Sequence, residues 1–285
     1  VRRRVRLTIG DKTTAGVGAL VINDLRVDFE VTKHMGGGIN NAVISIYNLA
    51  PENRGRIEDI YTTVILEHDN GNGIFSVLYI GEVYNVVHSK AAAVDVITRV
   101  FCGSGLNALN NATAHQTIAG GATRREILET LNETLTTFGI DIGTIPTELD
   151  APYSRRGVSI SDNIRTILDD VLRGTGVAWS VENQQLEFQR IETAESTGII
   201  VNPANGLIGS TRRTHAGFDF TSIVRPEIRP GVTVDVFSDF GETSQDGLHY
   251  LKVRSDTGAR VRVLQVVHRG SNFEGNAITD VVGLR

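Results

Sequence analysis

Between Val21 and Leu49 the chain reads VINDLRVDFEVTKHMGGGINNAVISIYNL. Leu25, Val27, Phe29 and Val31 alternate with Arg26, Asp28, Glu30 and Thr32. A period of two gives a strand with one apolar face and one charged face. Val43 to Tyr47 is β-branched and aromatic, which suits a second strand. Gly36, Gly37 and Gly38 allow a turn between them. One wet face points to an antiparallel sheet or barrel and away from a buried parallel sheet.

The same pattern continues to about Gly103. At the N-terminus Val5, Leu7 and Ile9 point one way and Arg2, Arg4 and Arg6 the other, with Arg3 beside them. This predicts a strand with solvated arginines; the competing reading is a basic arm that docks on an acidic neighbouring subunit. Pro51 opens a short helical turn, PENRGRIEDIY. Val64–His68 and Ile74–His88 flank Asp69-Asn70-Gly71-Asn72-Gly73, a hairpin signal. Ala93–Phe101 gives another strand, with Val94, Val96 and Thr98 on one side.

The period then changes to 3.6. Thr123–Phe138 reads as a helix, with the capping box Thr123/Glu126, an apolar stripe of Ile127, Leu128, Leu131, Leu135 and Phe138, and Gly139 as its stop. Asp162–Arg173 reads as a second helix with Ser161 as N-cap and a stripe of Ile164, Ile167, Leu168, Val171 and Leu172. A hairpin follows, Val177–Val181 and Leu186–Ile191, turning at Glu182-Asn183 and placing Val177, Trp179 and Val181 on one face. From Gly198 the pattern is β again: Ile199–Val201, Phe218–Ile223, Val232–Phe237, Ala259–His268 and Ala277–Leu284. Two prolines make Val224–Gly231 a connection. The expected class is mainly β with a small α+β insert, divided at 1–103, 104–197 and 198–285.

Composition adds little to this. The chain has 285 residues, a length suited to roughly two domains. Hydrophobic residues make up 40% and charged residues 21%, ordinary for a soluble protein. No apolar run approaches the ~18 residues of a membrane helix, and no signal peptide opens the sequence. The single Cys102 excludes an internal disulfide and suits folding in a reducing cytoplasm. A net charge of −5 argues against a nucleic-acid binder.

No reaction motif emerges. His34, His68, His88, His115, His215, His249 and His268 are scattered without metal-ligand spacing. Cys102 reads as a small buried hydrophobe. Glu126, Glu129 and Glu133 invite comparison with the paired carboxylates of glycoside hydrolysis, but they sit opposite the apolar stripe of their helix, as a solvated face does. Asp169 and Asp170 read the same way. There is no nucleophile elbow and no phosphate loop; Gly36-Gly37-Gly38 and Gly103-Ser104-Gly105 do not open a helix in the phosphate-cradling pattern. The expectation is therefore no catalytic, cofactor or metal residue, and a structural protein.

Several segments together resemble the baseplate hub proteins of contractile-tailed phages, the relatives of the T-even phage hub and of late control protein D. They are Leu25–Val31 with Asn41–Leu49, Ile80-Gly81-Glu82-Val83, the Trp179 hairpin within Gly174–Phe188, Asn205–Gly209 with Arg225–Gly231, and Val266-Val267-His268-Arg269-Gly270. Their order carries the resemblance more than any one of them. The loop Gly36-Gly37-Gly38-Ile39 departs from it, since many relatives carry a proline just before the asparagine. The resemblance implies two tube-like antiparallel β-barrel domains flanking the α+β unit. It implies a homotrimer in the virion tail baseplate, assembled in the host cytoplasm, that joins the hexameric tail tube to the trimeric central spike. Tape-measure and baseplate wedge proteins would be neighbours, and the genome would pass through the lumen without sequence-specific binding. Strand exchange between domains is compatible with it. The alternative from a different class is a tail-associated hydrolase that degrades the cell wall, which would require a cleft with carboxylates of separated pKa.

Overall fold

The computed structural model describes residues 4–10, 18–36, 39–59, 62–90, 95–191, 195–214, 217–239, 241–243, 258–273 and 277–284. Arg2, Arg3, Gly37, Gly38, Tyr61, Ala93, Val94, His215 and His249 lie outside the described residues. The molecule is mainly β with a small α+β part, as the periodicities require.

The first region supplies β1 (Arg4–Gly10), β2 (Leu20–Ile22), β3 (Val27–His34), β4 (Asn41–Tyr47), β5 (Thr63–Asp69), β6 (Ser76–Lys90) and β7 (Val96–Gly103), with the short helix α1 (Pro51–Arg54). On β3 the residues Val27, Phe29, Val31 and Lys33 are buried, so the alternation seen in the sequence is the inside–outside alternation of the strand. On β1, Val5, Leu7 and Ile9 are buried. Arg4 and Arg6 on the other face pair with Asp69 and Glu67 of β5 and stack over Phe75. Those two arginines are thus satisfied within the chain.

The middle region contains α2 (Leu106–Asn111), β8 (Thr113–Ile118), α3 (Arg124–Thr137), β9 (Asp141–Ile142), β10 (Val158–Asn163), α4 (Ile164–Leu172), β11 (Val177–Glu182) and β12 (Gln185–Arg190). Thr123 caps α3 and the reciprocal Glu126 bond is present. The second helix starts at Ile164, the first residue of its apolar stripe, and not at Asp162 as expected. Ser161 and Asp162 are held extended in β10 by pairing with His115 and Ala114 of β8, and Asn163 is the N-cap, accepting from the backbone N–H of Arg165. The hairpin turn also shifts, to Asn183-Gln184, both at positive φ.

The last region holds β13 (Glu195–Val201), β14 (Leu207–Arg213), β15 (Phe218–Ile223), β16 (Val232–Phe237), β17 (Gly241–Thr243), β18 (Gly258–Ser271) and β19 (Ala277–Leu284). These strands and those of the first region form one sheet of fourteen strands among the described residues. Its path runs β17-β14-β15-β19-β18-β3-β4-β7-β6-β5-β1-β2, with β16 and β13 branching from β18. The path is open, yet the sheet curls: the rings of Phe29 on β3 and His68 on β5 meet edge to face at 6.2 Å.

Strand β18 joins the two ends of the chain. It pairs with β16 over Gly258–Arg262 and with β3 over Gln265–Ser271. A bulge against β19 between Val263 and Gln265 marks the change of partner. The extra residue bends the strand and increases its twist, which lets one strand serve two walls. Three hydrophobic clusters result, centred on the first, middle and last regions, but Val224 and Ala277 from the last region pack in the first cluster.

Candidate assembly surfaces

The middle region is fastened to the sheet by buried polar contacts. Lys33 follows Val31 on the inward face of β3, is 2% exposed, and its Nζ meets Oε1 of Glu182 on β11 at 2.5 Å. Asn40 donates to the Val181 carbonyl and accepts from the His34 N–H, and Tyr79 Oη donates to the Asn40 carbonyl. The Ile80 N–H donates to the Asn183 side chain, and Ser104 Oγ donates to the Ile80 carbonyl. Glu82 accepts from the Asn107 N–H at the start of α2. Near the other end of the hairpin, the guanidinium of Arg262 on β18 donates to the carbonyls of Arg190 and Ile191. Burial lowers the pKa of Arg262. These bonds satisfy groups that would otherwise be costly to bury.

The outer surface offers an unpaired edge. Strand β6 pairs with β5 only over Ser76–Glu82, and with β7 over Glu82–Lys90. Beyond Glu82 one edge of β6 carries no strand among the described residues. A bulge between Val83 and Asn85 makes Tyr84 the extra residue, so Tyr84 and Asn85 both face outward. Tyr84 is 43% and Val87 40% exposed, and Tyr84 leans on Phe101. Further exposed apolar side chains are Ile74 on the β5–β6 turn and Phe273 after β18, at 66% and 76%. An open edge flanked by apolar side chains is a template for pairing with another chain.

No family model and no curated protein matches the sequence. Solved structures do match in fold. The 43 kDa tail protein of prophage MuSo2 from Shewanella oneidensis superposes with a TM-score of 0.66 at 9% identity, covering 99% of this chain and 97% of that one. The chain has the fold of phage tail proteins. A tail protein from Neisseria meningitidis MC58 gives 0.64 at 9% identity, with 100% and 97% covered. The Escherichia coli c3393 protein, a component of the type VI secretion system with structural similarity to the T4 tail proteins gp27 and gp5, gives 0.57 at 12% identity, with 98% and 76% covered. Identities this low establish a shared fold and nothing finer.

Within this tail-protein fold the residues considered for chemistry fall in several separate places. Glu126, Glu129 and Glu133 line a shallow depression of about 500 Å³ with Gln116 and Thr130, and Glu126 is engaged in its capping box. Asp169 accepts from the indole N–H of Trp179, and Asp170 pairs with Arg173. Cys102 is fully buried, and burial pushes its thiol pKa up. His88 touches Thr98 and Glu58, His115 touches Ser161, and His268 touches Thr279. Among the described residues no three His, Cys, Asp or Glu side chains are grouped to hold a metal. No helix among them is long and apolar enough to cross a membrane. A polar cleft of about 470 Å³ between β12 and the Arg229–Val232 segment is lined by Gln185, Glu187, Gln189 and Arg190.

The fastening residues are not among those the sequence pattern singles out. Lys33 has a signal, because it continues the apolar phase of Val27, Phe29 and Val31. Glu182 has none; its neighbours read as a turn.

Proposed function

We propose that the chain is a structural protein of a phage tail, and more finely the baseplate hub of a contractile tail. It acts as a homotrimeric symmetry adaptor between a hexameric tail tube and a trimeric central spike. The observation that carries this reading is the end-to-end match with the Shewanella tail protein, 99% of this chain against 97% of that one. The c3393 protein, a type VI secretion component with structural similarity to gp27 and gp5, shares the same fold and supports this reading.

The physical features agree with assembly. The free edge of β6 and its apolar neighbours call for a partner strand, and a closed ring satisfies equivalent edges without growing into a filament. In this reading the chain divides at 1–103, 104–197 and 198–285. The outer two parts are tube-like barrels that exchange strands through the β3–β18 seam. Three copies then present six similar barrels around a lumen for the genome and the tape-measure protein, with wedge proteins outside and the whole in the virion baseplate. No reaction is required, and the acidic depression on α3 is a surface feature.

Light scattering of the purified chain, alone and with its spike, tests the stoichiometry. A trimer, at least in the presence of spike, is expected. A species that remains monomeric or dimeric with spike present, or an image of the ring with other than two similar barrels per chain, rejects the hub. Incubation with peptidoglycan should release no soluble fragments. Release abolished by Glu126→Gln or Glu129→Gln would replace the structural reading with the hydrolase.

A further inference from the structure

His268 lies in the middle of the β3–β18 seam, opposite Val31 in register and therefore diagonal to Lys33, whose partner strand residue is Val266. It is fully buried. Its Nδ1 is 2.8 Å from Thr279 Oγ1 on β19, and its Nε2 has no hydrogen-bond partner. The charged or titratable side chains that bear on it are Lys33 from β3 and His68 from β5. Glu182 from β11 enters through its pair with Lys33, while β19 contributes the neutral Thr279. On β1, the residue opposite His68 is the apolar Val5.

This arrangement holds a neutral imidazole. A proton on His268 would give both ring nitrogens an N–H, and Nε2–H would face no acceptor. It would also place an imidazolium near the Lys33 ammonium, whose carboxylate partner is Glu182, in a buried setting that screens the repulsion poorly. We propose that His268, Lys33 and Glu182 form an acid-sensitive latch, in which uptake of one proton by His268 loosens the β3–β18 seam and, through the Lys33–Glu182 pair, its hold on the middle hairpin. At the seam the first region, the last region and the middle hairpin are held by neighbouring residues. Loosening it therefore acts on all three.

The sign follows from linkage. Burial, reinforced by Lys33 and His68, holds the His268 pKa well below the usual imidazole value. The closed form binds fewer protons than an opened form, so closure is complete at neutral pH. It weakens as pH falls below about 6.5, the value of a solvated imidazole. The latch does not depend on the hub reading.

Hydrogen exchange of the intact chain at pH 7.5 and 5.5, with intrinsic rates divided out, tests it. One proton taken up on opening should raise the opening equilibrium about tenfold across that interval. The rise is expected in peptides spanning 28–34, 265–271 and 180–186, and not in β7. His268→Gln should level the response. A uniform rise in every peptide, or an undiminished response in His268→Gln, overturns the latch. If that variant does not fold, the imidazole C–H resonances of the unaltered protein decide. His268 should stay neutral while the seam stays protected, and a titration at the ordinary imidazole value with the seam intact overturns the proposal.

Discussion

The ammonium of Lys33 and the carboxylate of Glu182, 149 residues apart, meet at 2.5 Å with both side chains buried. Breaking such a pair leaves one charge in the interior, whereas replacing both removes the problem. Lys33→Met and Glu182→Leu should each destabilise by roughly 3–5 kcal/mol. The double variant should return to within about 1 kcal/mol of the parent or exceed it. Urea midpoints of the four proteins check this, and additive losses would show that the two side chains do not depend on each other.

Trp179 carries the middle core. It is 3% exposed between Val177 and Val181, and its indole N–H donates to Asp169 on α4 at 2.8 Å. Trp179→Ala should cost about 3–5 kcal/mol, mainly as a cavity. Trp179→Phe fills most of the volume but loses the hydrogen bond, so a loss nearer 1 kcal/mol is expected. Thermal denaturation followed by far-ultraviolet circular dichroism measures both.

Gly105 sits where the first region passes into the middle one. Its φ is +63°, and a Cβ there would lie 2.8 Å from Val181 Cγ1 and 2.9 Å from Ile140 Cδ1. Gly105→Ala should cost about 1–2 kcal/mol for the left-handed backbone and about 1–3 kcal/mol for overpacking. Gly174, also at positive φ but with open space around it, should show the first cost without the second when changed to alanine. Chemical denaturation of the two variants separates these contributions.

Asp69, Asp28 and Asp235 are among the carboxylates that contribute to the response to strong acid. Burial pushes the Asp69 carboxyl up, but Arg4 and the N–H groups of Gly71 and Gly73 outweigh it and hold the pKa below the usual range. Asp28 is lowered in the same way by Arg26, Ser271 and Tyr47 against its burial, and Asp235 mainly by Arg260. Carboxylates of this kind bind fewer protons folded than unfolded. Their stabilisation is present above the ordinary aspartate value and fades as pH falls through it toward the lower folded values. Denaturation midpoints should therefore decline below about pH 4. Asp69→Asn should be less stable than the parent at pH 6 and show a shallower acid decline, and parallel curves would contradict the assignment.

Local chemistry alone decided much of the molecule. The alternation of Val27, Phe29 and Val31 made β3, the Thr123/Glu126 box started α3, and the stripe from Ile164 to Leu172 made α4, because each signal lies within a few residues and acts on its own backbone. What the tertiary structure decided involves pairs far apart in sequence. Asn163 displaced Ser161 as cap only because β8 claims Ser161 and Asp162 for a strand. Glu182 left the turn for the interior only because Lys33 waits there. The union of β3 with β18 makes one sheet of the two ends. No local pattern specifies it, since an edge strand's hydrogen bonds accept any strand of suitable length. The choice is made by which inward faces pack together once the whole chain has folded.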